Sequence, residues 1–113
     1  MEARATQKYM RVSPQKARLV VDLIRGKNAG EALSILTYTK KRVAQAVEKV
    51  LRSAIANAEQ KAEHLDVDQL VVSKAYVNEG PRSKRTRPAP MGRAYRYQRR
   101  MSHVTVVVES PEA

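Results

Sequence analysis

Hydrophobic positions change their spacing twice along this chain of 113 residues. Residues 3 to 9 (ARATQKY) alternate, with Arg4, Thr6 and Lys8 on one side and Ala3, Ala5 and Tyr9 on the other. That period of two predicts a short strand. From residue 14 the period becomes helical. In SPQKARLVVDLIRG, Ser13 is a suitable N-cap, Pro14 suits the first turn, and Gly26 suits the left-handed position past the last turn. Leu19, Val20, Leu23 and Ile24 form the apolar stripe of this helix, while Arg18, Asp22 and Arg25 share its other face. A second, shorter helix is capped by Asn28, with Glu31 placed like the partner in a capping box and Ala32, Leu33, Ile35 and Leu36 as its buried face. A third runs from about Lys41 to Lys61, where Val43, Ala46, Val47, Val50, Leu51, Ala54, Ile55 and Ala58 recur at helical spacing. Glu48 and Arg52 form an i,i+4 pair on its outer face.

Alternation returns at about Gln69. LVVSKAYV carries apolar residues on both faces, so its alternation selects neither for burial. HVTVVV is clearer, with Val104, Val106 and Val108 on one side. These patterns predict an α+β fold, with three helices packed on a small antiparallel three-stranded sheet in a single domain spanning 1–113.

Between the two late strands lies GPRSKRTRPAPMGRAYRYQRR, residues 80 to 100, where apolar alternation stops and eight Lys or Arg stand without one acid. Pairing the strands with Val77 opposite His103 puts Gly80 opposite Arg100 and centres the connection on Pro90. Pro88, Pro90 and Gly92 then gather at the tip, as a hairpin turn requires. The chain thus divides into a body (1–79 and 101–113) and a long basic β-hairpin arm (80–100). At about 3.3 Å per residue the ribbon from Leu70 to its tip reaches roughly 60 Å.

Charge gives the arm a purpose. Lys and Arg outnumber Asp and Glu by 22 to 11, the pI is about 10.4, and the first 79 residues hold nine acids against fourteen bases. The excess is concentrated late, which favours a polyanionic partner. Arg82, Arg85, Arg87, Arg93, Arg96, Arg99 and Arg100 can fork onto phosphate oxygens, and Lys84 offers a point charge. Tyr95 and Tyr97 can stack on unpaired bases. A solvated, disordered loop is the plain alternative; the flanking strands and the centred Pro and Gly argue against it. Lys8, Arg11, Lys16, Arg18, Arg25 and Lys27, with Lys40, Lys41 and Arg42, lie near strand and helix ends as a second set of candidate contacts to such a polyanion. Each of these, taken singly, reads equally well as merely solvated.

Other chemistry finds little support. The chain has no Cys, which excludes a disulfide framework and a thiolate metal site. His64 and His103 are lone histidines, and Glu63, Asp66 and Asp68 read as a solvated turn, so no catalytic residue, metal or cofactor is expected. No Gly-rich phosphate loop is present, and no small-molecule substrate is expected. MEARATQKYMR lacks a signal peptide's apolar core, and the apolar run around LVVDLI is too short to span a membrane and is broken by Asp22, so a cytoplasmic protein is expected. An insertion into a membrane surface would need an aliphatic face that the basic stretch lacks. A helix-turn-helix over residues 14 to 39 is opposed by Glu31, Ala32 and Leu33 at the start of its second helix. The rival that the chemistry admits is an architectural DNA-binding protein whose β-ribbon arm inserts into DNA, with proline as the wedge.

SPQKARLVVDLIRGK, EALSILTYT, VLRSAIANAE, YVNEGPRSKR, GRA and SHVTVVV occur in this order and resemble the bacterial-type family of large-subunit ribosomal protein twenty-two across nearly the whole chain. The resemblance implies an α+β body on large-subunit ribosomal RNA, among neighbouring ribosomal proteins. It further implies a long hairpin that lines the polypeptide exit tunnel, with its tip at the constriction beside the nascent polypeptide. Gly80, Pro81, Lys84, Arg85, Pro88, Gly92, Arg93, Ala94, Arg100, Ser102 and His103 match the family's pattern. Between Pro88 and Gly92 the chain departs from it. Ala89, Pro90 and Met91 stand where relatives commonly carry two basic residues around a small one, which makes this tip less charged and stiffer. Pro88, Ala89, Pro90, Met91 and Gly92 are the residues expected to face the tunnel.

Overall fold

A computed structural model of the chain describes residues 2–61, 67–88 and 94–110, with side chains for all of these except 67, 82–88 and 94–99. The elements in order are β1 (Glu2–Met10), α1 (Pro14–Ile24), α2 (Ala29–Tyr38), α3 (Arg42–Lys61), a one-turn 3-10 helix (Val67–Gln69), β2 (Val71–Pro88) and β3 (Ala94–Glu109). The strands form one antiparallel sheet in the order β1-β3-β2. The α+β architecture expected from the periodicity is therefore present, with the last strand in the middle.

The helices cover one face of this sheet. Val104, Val106 and Val108 of β3 are fully buried there beside Val72 of β2 and Ala3 of β1. Against them pack Ala17, Val20, Val21 and Ile24 of α1, Leu36 of α2, and Val47, Leu51, Ala54 and Ala58 of α3. With no Phe or Trp in the chain, closeness replaces bulk. Alanines 17, 29, 32, 44, 54 and 58 are all completely covered, so helices approach one another and the sheet with little side chain between them.

Three details differ from the periodicity. The buried stripe of α1 is Pro14, Ala17, Val20, Val21 and Ile24, whereas Leu19 and Leu23 are 53% and 44% exposed. Positions 17, 20, 21 and 24 form the i, i+3, i+4, i+7 set that faces a neighbour, and the small Ala17 carries little weight when a stripe is sought by hydrophobicity. Leu33, Ile35, Val43 and Ala46 are partly rather than fully buried. Tyr9 leaves the row of Ala3 and Ala5: it has φ +60° and lies where β1 carries an extra residue between Gln7 and Met10, which sends Met10 inward.

Helix ends follow the sequence closely. Ser13 accepts the Lys16 N–H at 3.4 Å, Pro14 opens α1, and Gly26 takes φ +81° after it. Asn28 caps α2 by accepting the Gly30 N–H at 2.9 Å, and its amide donates to the Asp68 carbonyl at 2.6 Å. The cap therefore uses the second N–H of the helix, where a capping box would use the third, that of Glu31. Glu48 and Arg52 pair at 2.8 Å, as their spacing predicts.

Candidate nucleic-acid interface

β2 and β3 form one ribbon whose two halves have different surroundings. Near the body, Lys74 pairs with Val107, Ala75 with Val106, Tyr76 with Thr105 and Val77 with Val104. Farther out, Arg82 pairs with Arg100, Ser83 with Arg99, Lys84 with Gln98, Arg85 with Tyr97, Thr86 with Arg96, Arg87 with Tyr95 and Pro88 with Ala94. The molecule is accordingly elongated, 66 Å by 25 Å by 16 Å, with a radius of gyration of 17.4 Å. A compact chain of this length has about 13 Å.

Two bulges in β2 set which residues share a face. One lies between Val72 and Lys74, the other between Glu79 and Arg82. The register expected from Val77 opposite His103 holds only at Val71 and Val72; each bulge then adds one residue to β2, so Arg82 rather than Gly80 stands opposite Arg100. The midpoint of the connection moves from Pro90 to position 91. The first bulge also resolves which face of LVVSKAYV is buried: Val72 lies before it and Ala75 and Val77 after it, all inward although their parity differs. At the second bulge Gly80 lies against β3, where an added Cβ would come within 3.1 Å of the Met101 carbonyl oxygen. Pro81, which lacks an N–H, occupies the unpaired position beside it at no cost in ladder bonds.

Because residues paired across an antiparallel ladder lie on the same face of the pleat, the second bulge fixes the arm's pattern. One face carries the pairs Ser83–Arg99, Arg85–Tyr97 and Arg87–Tyr95; the other carries Arg82–Arg100, Lys84–Gln98, Thr86–Arg96 and Pro88–Ala94. Each arm tyrosine thus stands opposite an arginine. Two arginines, Arg82 and Arg100, stand directly opposite each other at the root of the arm. Like charges in that position destabilise a bare ladder, and a bound polyanion removes the penalty. The tip residues Ala89, Pro90, Met91 and Gly92, with Arg93, lie outside the described residues, as do Glu63, His64 and Asp66.

The second set of predicted contacts divides in two. Lys8, Arg11, Lys16 and Lys27 are exposed on the body, as are Lys40, Lys41 and Arg42. Arg18 and Arg25 are also solvent-facing but point at the sheet. Arg18 donates to the Val77 carbonyl at 3.1 Å, and Arg25 donates to the Ala75 carbonyl at 3.1 Å from Nε and 2.6 Å from a terminal nitrogen. Arg25 also pairs with Asp22 at 2.8 Å. Farther along the same edge, Val72 exchanges bonds with Gly26 and Lys27, and the Leu70 carbonyl receives the Ala29 N–H. The opposite edge, β1, is covered by α3: Asn57 donates to the Arg4 carbonyl at 2.9 Å and Lys61 to the Glu2 carbonyl at 3.0 Å. Side chains and the loop after α1 thus take up edge carbonyls on both sides of the sheet that an added strand would use. The spacing of Arg18 and Arg25, two helical turns apart, is the one trace of this device in the sequence.

His103 sits beside the β1 irregularity. Its Nδ1 accepts the Tyr9 N–H at 3.1 Å, and the Tyr9 ring meets it edge-on at 5.1 Å and 88°. Among the described residues no group of three or more His, Cys, Asp or Glu is arranged to hold a metal ion, and no helix is long and apolar enough to cross a membrane.

Residues 5–109 match the family described as Ribosomal protein L22p/L17e. The chain belongs to this family of ribosomal proteins. It is similar to the large ribosomal subunit protein uL22 of Solibacter usitatus (strain Ellin6076), at 66% identity over 113 residues that cover all of both chains. The proteins of the same name from Halothermothrix orenii and Clostridium novyi are 58% and 55% identical, each covering 96% of this chain and 95% and 97% of their own. The family resemblance of the sequence motifs is thus established. It identifies a structural, non-enzymatic protein of the translation machinery.

Proposed function

We propose that this chain is a structural constituent of the large ribosomal subunit that binds large-subunit ribosomal RNA through its arm and body. In this reading the arm tip lines the polypeptide exit tunnel and meets the nascent polypeptide, while neighbouring ribosomal proteins flank the body in the cytoplasmic ribosome. The arm's pairing pattern carries the proposal. A ribbon bearing eight bases and no acid, with Arg85 opposite Tyr97 and Arg87 opposite Tyr95, offers a phosphate clamp and a stacking ring in each unit. Bases stand on both faces of the ribbon, which suits a partner that surrounds it, as folded RNA does. A DNA duplex groove would engage chiefly one side.

The tip follows from the same logic. Proline, alanine and methionine at 88–91 interrupt the run of cations. They suit a surface that a passing chain must not bind, and Pro88–Met91 are proposed to face the tunnel lumen.

Ultraviolet crosslinking in cells, followed by sequencing of the recovered nucleic acid, tests this reading. Large-subunit ribosomal RNA crosslinked along residues 82 to 100 is the expected outcome. Scattered DNA sequences would instead support an architectural DNA-binding role.

A further inference from the structure

The helices leave the other face of the body's sheet open, and its residues are laid out in rows. Arg4, Val107 and Lys74 form one row across the three strands; Thr6, Thr105 and Tyr76 form the next; His103 and Asn78 follow, with Tyr9 against His103. Thr105 and Val107 in the centre are nearly covered, at 4% and 2% exposure, and the Thr6 and Thr105 hydroxyls bond at 3.0 Å. Above this flat centre two aromatic rings remain open: Tyr76 is 38% and Tyr9 61% exposed. Since β3 runs without a bulge from His103 into the arm, this face is continuous with the arm face that carries Tyr97 and Tyr95.

We propose that this helix-free face is a second RNA-docking surface, which takes a single-stranded segment leading from the arm, with a base stacked on Tyr76 and a phosphate on Lys74. The proposal rests on the reading of the chain as an RNA-binding protein. Charge gives the footprint its direction. Lys74 is exposed two residues from Tyr76 on the same strand, about 7 Å away. At the end remote from the arm, Glu2 and Glu109 stand directly opposite each other, and Glu2 draws Arg4 into an ion pair at 3.5 Å. Two facing carboxylates repel a phosphate backbone, so the strand ends at the row of Lys74 and continues the other way, past His103 towards the arm. With Nδ1 occupied by the Tyr9 N–H, the neutral His103 ring carries its proton on Nε2, a donor for a phosphate or ribose oxygen on this route. Stacking on an aromatic ring tolerates any base but needs an unpaired one. A duplex, whose bases are paired, cannot use Tyr76.

The test uses the full chain with a polyuridylate of about 12 nucleotides, within the span of known single-strand sites, and a duplex RNA of equal length. Tyr76→Ala is expected to weaken polyuridylate binding about ten-fold and leave duplex binding unchanged, while Tyr76→Phe, which keeps the ring, binds within about two-fold of the parent. Irradiation of the unmodified chain on polyuridylate should label the tryptic peptide 75–82, whose one tyrosine is Tyr76. The peptide result does not depend on any variant folding. An Arg85→Gln/Arg87→Gln chain separates the two readings. If it loses affinity while Tyr76→Ala and Lys74→Gln bind like the parent and peptide 75–82 stays unlabelled, the arm reading stands and the sheet-face proposal is overturned. If the Tyr76 effect persists at full size in the arm variant, the face stands by itself. Crosslinking of peptide 75–82 to a protein rather than RNA in intact large subunits would also overturn the proposal.

Discussion

The same two strands make both the centre of the core and the arm, and comparing the two stretches separates what pairing does from what packing does. From 71 to 79 and 102 to 109, β2 and β3 place Val72, Ala75, Val77, Val104, Val106 and Val108 under three helices. From 82 to 88 and 94 to 100 the ladder continues with the same antiparallel geometry, but the sequence supplies Arg, Lys, Thr, Tyr and Gln. Backbone bonds are alike in the two stretches. The first stretch contributes buried apolar side chains, whereas the second offers few apolar residues by composition, and a two-stranded ribbon without such burial is marginal in water. On the proposed function, the body is expected to hold its own shape and the arm to draw stability from its RNA partner.

The largest effect that tests this contrast is on binding. Replacing Arg85, Arg87, Arg96 and Arg99 together by Gln should lower the slope of log affinity for large-subunit RNA against log salt by about 3, at roughly 0.7–0.9 for each phosphate no longer neutralised, with no change in the body's thermal unfolding. A salt titration of each chain measures it. Leu51→Ala is the converse: it opens a cavity where Leu51 is fully buried and should cost about 2–5 kcal/mol in denaturant unfolding, leaving the arm's binding to RNA unaltered.

A smaller effect is expected at the junction. Gly80→Val forces a side chain against the Met101 carbonyl and should cost about 1–3 kcal/mol, read as a lower thermal midpoint. By disturbing the bulge it also disturbs the facing of Arg85 with Tyr97, so its affinity for RNA should fall as well. The smallest effect on stability belongs to the most drastic change. With residues 82 to 98 replaced by a short Gly-rich turn, the body should still unfold cooperatively at nearly the parent temperature, because no core residue has been removed. Loss of cooperative unfolding would show that the arm contributes to the body after all.

Much of this contrast is legible in the sequence because it is written in composition. Ser13, Pro14 and Gly26 mark one helix, the Val and Ala spacing of α3 another, and the change from Val–Ala alternation to Arg marks the end of the core. What stays hidden depends on single-residue shifts. A bulge at Ser73 has no compositional mark, yet it alone decides that Val72, Ala75 and Val77 share a face. Gly80 and Pro81 are residue types that suit an irregularity, but they do not announce the register they produce. Without that register the opposition of arginine to tyrosine cannot be seen. Arg18 and Arg25 read in the sequence as two more candidate RNA contacts, each equally well merely solvated. Their role on the strand edge requires knowing which strand lies beneath α1, and that is a property of topology rather than of local pattern.

Hydrogen exchange, followed residue by residue on the free chain and on its complex with large-subunit ribosomal RNA, tests the division most directly. Amides of β2 and β3 that lie inside the body's ladder, such as Tyr76 and Val106, should be protected in both states. Those of 82–88 and 94–99 should exchange rapidly in the free chain and become protected when RNA is bound. Equal protection of the two stretches in the free chain, or no gain in the arm on binding, would contradict the account.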